Sequence, residues 1–266
     1  MRWLSLLLIG ILLSVAALNA SAGNVAYNKH WVRKVPVHVV TVNLNSPNVR
    51  RSPAISQHGI GSSEGFGSML SRLHPTAAIT GTYFCLRTLV PVGDIVVDGQ
   101  IVNTGSVGTG VCFTSDNIVH LRAPSPSYAK DWSIYTSVLC TGPRLVRDGI
   151  AYVNPWAEGF RDRALYRPAR RSALGLTANN KLLLVTVNKP IYLSKLAHIM
   201  HDLGAVDAVN LDGGSSTAIY YKGRVPSHPG RRLTNLIVVY ESPDKFAQIK
   251  PELAPLQVIA QSPSKS

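Results

Sequence analysis

Short runs of apolar and β-branched residues, each closed by a turn signal, recur along the chain. Residues 37–44 (VHVVTVNL) and 76–84 (TAAITGTYF) are rich in β-branched and aromatic side chains and predict strands. The stretch 46–74 between them is rich in Gly and Ser and turns helix-like near 67–73. Hairpins are predicted at Asp98-Gly99, Asp148-Gly149 and Lys222-Gly223, because glycine supplies the positive φ that tight turns require. A fourth is predicted in 111–121 (VCFTSDNIVHL), turning at Ser115-Asp116-Asn117. One helix is well marked, with Ser194 as its cap, Leu196, Ile199, Met200 and Leu203 on one face, and Gly204 as its stop. It follows the strand 181–187 (KLLLVTV) and precedes 205–211, an order that resembles a βαβ unit. The pattern predicts an α+β protein: a single domain with a large mixed, mainly antiparallel sheet and a few helices.

The ends read differently. In the first 22 residues, Arg2 supplies a positive start, an almost wholly apolar run follows to Leu18, and Ala20-Ser21-Ala22 is a small-x-small cleavage pattern. This predicts a signal peptide over 1–22, its apolar part shorter than a bilayer span needs, with an uncleaved N-terminal anchor as the alternative. The expectation is therefore a secreted or periplasmic protein of the cell envelope, without stable membrane insertion once the signal is removed. Beyond Tyr240, several prolines and no clear period predict an extended tail over 242–266.

With 27 Lys and Arg against 14 Asp and Glu, the chain is strongly basic. A field of that sign concentrates anionic partners. The basic run with interleaved aromatics that nucleic acid would need is absent, so no nucleic-acid partner is expected. Cys85, Cys112 and Cys140 lack metal-type spacing, and in an oxidising compartment they predict one disulfide and one leftover thiol, with the pairing open.

Candidate chemistry centres on 209–217, VNLDGGSST. Apolar residues lead to Asp212, and the strand then breaks at Gly213-Gly214 before Ser215, Ser216 and Thr217. Such a junction holds a carboxylate at a strand end, while the glycines free backbone N–H groups to meet an anion and the hydroxyls add donors. The competing reading is an ordinary Asp-Gly turn.

Company decides between them. Residues 170–187 (RRSALGLTANNKLLLVTV), 196–217 (LAHIMHDLGAVDAVNLDGGSST) and 230–239 (GRRLTNLIVV) resemble the phosphodiester glycosidase family. So, in the expected order, do TGTYF (80–84), VPVGDIVVDGQIVN (90–103) and TGPRLVRDG (141–149). The resemblance implies a phosphodiester glycosidase-like domain over 35–241. It also implies a hydrolase, with the family's aspartate at Asp212 beside Asn210, Gly213 and Gly214, an arginine at Arg171, and an Arg-x-x-x-Asn at Arg231 and Asn235. Thr80 and Ser215 depart from the asparagine and third glycine that many members carry.

A glycosyl phosphodiester leaves with a good anionic leaving group, so the two opposed carboxylates of most glycosidases are not obligatory. One carboxylate and phosphate-holding cations suffice. Asp212 is thus expected as base or nucleophile and Arg171 as a fork on the phosphate, with Ser215 to Thr217 placing the diester. Tyr83 is a candidate sugar platform and Arg144 a further phosphate contact. Asp94 is the second carboxylate of interest, and His228 a candidate to line the site. His198, His201 and Asp202 form an H-x-x-H-D run that lacks a third ligand, so neither a metal nor a cofactor is expected. The expected activity is cleavage of an anionic, phosphorylated glycan, in the envelope or in extracellular polysaccharide. The alternative is a non-catalytic basic glycan-binding module.

Overall fold

The computed structural model of the chain describes residues 23–123 and 131–255. The expected signal peptide, and the part of the expected tail beyond residue 255, lie outside them. The chain begins with a hairpin of β1 (Val25–Val32) and β2 (Val35–Asn43), followed by β3 (Arg50–Ile55), α1 (Phe66–Leu73) and β4 (Ala77–Thr80). A run of short strands follows: β5 (Ile95–Val97), β6 (Gln100–Asn103), β7 (Thr109–Phe113), β8 (Val119–Arg122), β9 (Ser137–Thr141), β10 (Arg144–Arg147) and β11 (Ile150–Ala151). The long strands β12 (Ala169–Thr177) and β13 (Lys181–Ile191) lead to α2 (Leu193–Asp202) and β14 (Ala205–Leu211). The chain closes with β15 (Ile219–Tyr221), β16 (Arg224–Ser227), β17 (Asn235–Tyr240) and α3 (Pro243–Leu253).

The class is α+β, as expected, with the strands divided among three sheets. The first runs β1-β2-β13-β12-β14-β10-β11, the second β16-β15-β4-β17-β3, and the third β6-β5-β9-β7-β8. All four predicted hairpins form. Asp98, Asp148 and Lys222 take positive φ together with the glycine after each, and Asn117 does so in the fourth turn. β13 and β14 both pair antiparallel with β12, which lies between them, so they run parallel to one another and α2 makes the crossover. The predicted βαβ unit therefore exists with a strand inserted.

Period two along the first sheet builds two cores. Leu182 and Leu184 of β13 face the core shared with the other sheets, and Leu183 and Val185 face the core under α2. Leu174 and Ala173 of β12 divide in the same way. α2 lays Leu196, Ile199 and Met200 on the second core. Tyr192 is its cap residue, with Ser194 already inside the helix, so the expected Ser194 cap is corrected; Gly204, at φ +87°, ends it as predicted.

Two further expectations are overturned. The extended tail is a helix as far as Leu253: the Ser242 side chain accepts from the Lys245 N–H, Pro243 occupies the first turn, and Phe246, Ile249 and Leu253 form an apolar stripe on the core. No disulfide joins Cys85, Cys112 and Cys140. Cys112 and Cys140 sit on paired strands, but opposite Val138 and Gly110, respectively. That makes them diagonal neighbours, which stand roughly 7–8 Å apart in a sheet, beyond comfortable disulfide reach.

Candidate active site

β14 ends at Leu211 and delivers Asp212 to the floor of a cleft of about 470 Å3. The Asp212 N–H donates to the Gly81 carbonyl (2.9 Å), tying the end of the first sheet to the end of β4 in the second. One carboxylate oxygen accepts from the Gly213 N–H (2.8 Å). The side chain is buried, 8% exposed, and burial pushes its pKa up to about 6 against the pull of Ser216, Arg231 and the Gly213 N–H. The Ser216 hydroxyl stands beside it, short of good hydrogen-bond geometry.

Gly213 has no room for a side chain, and Gly214 takes a conformation that glycine favours. A Cβ at Gly213 would stand 2.8 Å from the Arg170 carbonyl oxygen, and Gly214 lies at φ +59°. Gly214 begins a short 3-10 turn to Ser216. Of the hydroxyl residues that follow, Ser215 is exposed, whereas Ser216 and Thr217 are fully buried with unpartnered side-chain oxygens. Gly213 and Gly214 line the cleft; the three hydroxyl residues do not.

Arg171 approaches from β12. Ser172 pairs with Leu211, so the antiparallel register sets Arg171 across from Asp212. Its guanidinium is partly committed: Nε donates to the Ile191 carbonyl (3.1 Å) and Nη2 to those of Leu165 (3.1 Å) and Arg167 (2.6 Å). No carboxylate pairs with it among the described residues, and burial works against its charge. Arg231 lines the same cleft, its Cζ 5.2 Å from the Phe84 ring centre and its Nε buried without a partner.

Tyr83 and Phe84 come from the segment predicted as strand to residue 84. The strand stops at Thr80 because Asn235 takes over the backbone beyond it: its Oδ1 accepts from the Thr82 N–H (2.7 Å) and its Nδ2 donates to the Thr82 carbonyl (3.2 Å). The freed segment turns into the cleft. Asn235 is thereby spent on the fold, a correction to its expected contact with substrate. Asn210 is likewise internal, donating from Nδ2 to the Tyr83 hydroxyl and to the Leu211 carbonyl (2.8 Å). Arg144 is corrected too, since its guanidinium pairs with Asp207 and its N–H donates to Glu158 (2.9 Å), away from the cleft lining.

Asp94 is structural, accepting from the Trp132 indole N–H (2.9 Å) and the Gly105 N–H (2.7 Å). Asp202 is held by Arg33 (2.6 Å). His228 lines a neighbouring cleft.

The sequence reading missed one wall. Arg161, Asp162, Phe160 and Leu165 line the cleft, Asp162 capping a 3-10 turn through the Ala164 N–H (2.8 Å). Arg161 stacks 3.7 Å over Trp156. The available signal was a density of arginine, five between 161 and 171. The cleft thus combines Arg161, Arg171 and Arg231 with Asp162, Asp212 and aromatic faces. That composition suits a sugar bearing a phosphate.

The sequence profile of the phosphodiester glycosidase family matches residues 74–240, more than half of the chain. The chain belongs to this family. Membership places it among glycosidases and supports a hydrolase. In the catalytic domain of zebrafish N-acetylglucosamine-1-phosphodiester alpha-N-acetylglucosaminidase, auto-inhibited by its pro-peptide, the same fold recurs at a TM-score of 0.64 and 19% identity, over 82% of each chain. A hypothetical protein from Synechocystis gives 0.69 at 16% identity over 81% of this chain, which spans 61% of that protein's length. These likenesses speak to the fold alone. No curated protein matches the sequence.

Proposed function

We propose that this phosphodiester glycosidase family member is an exported hydrolase of glycosyl-1-phosphodiesters, acting on an anionic, phosphorylated glycan of the envelope or extracellular space. The observation that carries the reading is Asp212, a buried carboxylate with its pKa near 6 on the floor of a cleft lined by three arginines. Export rests on the pattern of the first 22 residues. Among the described residues no helix is long and apolar enough to cross a membrane.

In the proposed reaction, water attacks the anomeric carbon and gives a proton to Asp212. The bond from that carbon to the phosphate oxygen breaks, its electron pair staying on the oxygen. The products are the free sugar and a phosphate monoester. Arg231 and the uncommitted Nη1 of Arg171 offset the growing charge on phosphate, and the faces of Tyr83, Phe84 and Phe160 cover the sugar. Asn210 and Asn235 act indirectly, by fixing Tyr83 and the backbone before it.

The test is Asp212→Asn, assayed for release of free sugar from a panel of glycosyl-1-phosphodiesters. Loss of a general base predicts a fall in kcat of about 100- to 10,000-fold. A folded variant with full activity overturns the assignment. Wild-type binding without release across the panel favours the glycan-binding module instead.

A further inference from the structure

The loop that carries Arg231 stands between the main cleft and a second one of about 320 Å3. Arg231 lines both. On the main-cleft side its guanidinium lies against Phe84, and its Nε is buried with no hydrogen-bond partner. The neighbouring Arg232 lines the second cleft only, its Nε and Nη2 donating to the Ser63 carbonyl (3.2 and 2.8 Å). Of the two, Arg231 alone reaches both clefts.

The second cleft differs in character from the first. Phe66 and Leu70 of α1 line it together with Val225 and Pro229, and His228 and Arg232 add a polar edge. Among the described residues no carboxylate lines it. A glycosyl phosphodiester has two organic parts with one anion between them, and here one unsatisfied guanidinium lies between two clefts of unlike lining. Resting on the reaction proposed above, we infer that the second cleft receives the alcohol on the far side of the phosphate and favours alcohols with an apolar face. The sugar then occupies the arginine- and aromatic-lined cleft, the phosphate lies at Arg231, and the departing phosphate monoester leaves with its alcohol still seated beside α1.

Gly67 provides a clean probe. It lines the second cleft on the first turn of α1, is exposed, and has nothing within 4 Å of where a Cβ would stand. Gly67→Trp therefore adds bulk to this cleft from a position outside the residues assigned to the reaction. Binding of benzyl phosphate and methyl phosphate is measured by calorimetry on wild type and variant, after both proteins show the same unfolding midpoint. Wild type is expected to bind benzyl phosphate about tenfold more tightly, the scale of burying one ring face. In the variant that preference is expected to vanish while methyl phosphate affinity holds within about twofold. An unchanged benzyl preference in the variant, or no preference in wild type, overturns the inference. Hydrolysis of benzyl and methyl glycosyl phosphodiesters gives the second readout: failure of wild type to cleave either strikes the proposed reaction, whereas cleavage of both with no effect of Gly67→Trp strikes the second cleft alone.

Discussion

A carboxylate that takes a proton from water near neutrality is a stronger base when its pKa lies above its solution value, and at Asp212 burial raises it to about 6. Because the folded pKa exceeds the unfolded one, the group's stabilising contribution is complete below about pH 4 and is lost as pH rises through about 6. Holding the ionised form inside the fold costs about 3 kcal/mol, from a shift of roughly two units at 1.4 kcal/mol each. Asp212→Asn is thus expected to raise the melting temperature by several degrees at pH 7.5 and by much less at pH 4, as calorimetry at the two pH values will report. Activity of the wild type runs the other way: kcat/KM should rise through pH 6 and level off above it. A rate that is flat between pH 5 and 8 would remove Asp212 from the base role.

Among the elements, the segment 81–84 is where the fold and the site depend most closely on one another. Gly81 has no room for a Cβ, which would stand 2.0 Å from the Asn235 Oδ1, and the Thr82 N–H has that oxygen as its acceptor. Asn235→Ala leaves a buried donor unpaired, at a cost of about 1–3 kcal/mol. It should also lower kcat/KM at least tenfold by loosening Tyr83 and Phe84, measurable by denaturant unfolding alongside the sugar-release assay. Ser242→Ala removes the cap of α3 and should cost about 1 kcal/mol, whereas Ser242→Asp should retain stability.

The strands and hairpins were legible because alternation and Asp-Gly or Lys-Gly pairs act locally. α3 was not, since its stripe of Phe246, Ile249 and Leu253 is broken up by prolines and charges, and the capping role of Ser242 has meaning only once Pro243 is read as a helix start. At the site, Asp212 and its glycines were legible from one short segment. The uses of Asn235, Asn210 and Arg144 were not, because each depends on which distant backbone or carboxylate the fold brings to it. Asp162 carried no motif at all.

The whole molecule places the cleft where its three sheets meet. Asp212 and Arg171 belong to the first, Tyr83 and Phe84 extend from β4 of the second, and Val92, Ser106 and Val107 flank strands of the third. The field of a chain with a net charge of +13 surrounds it. For an anionic substrate, raising ionic strength from about 0.05 to 0.5 M should increase KM severalfold and leave kcat within about twofold; an unaffected KM would mean that local contacts alone capture the substrate. The cleft lining begins at Tyr83 and is completed only by Arg231. A growing chain therefore has no complete cleft until Arg231 has been made and folded into place beside Tyr83 and Asp212. Any cleft-dependent binding then reports that the segments from Tyr83 to Arg231 have come together.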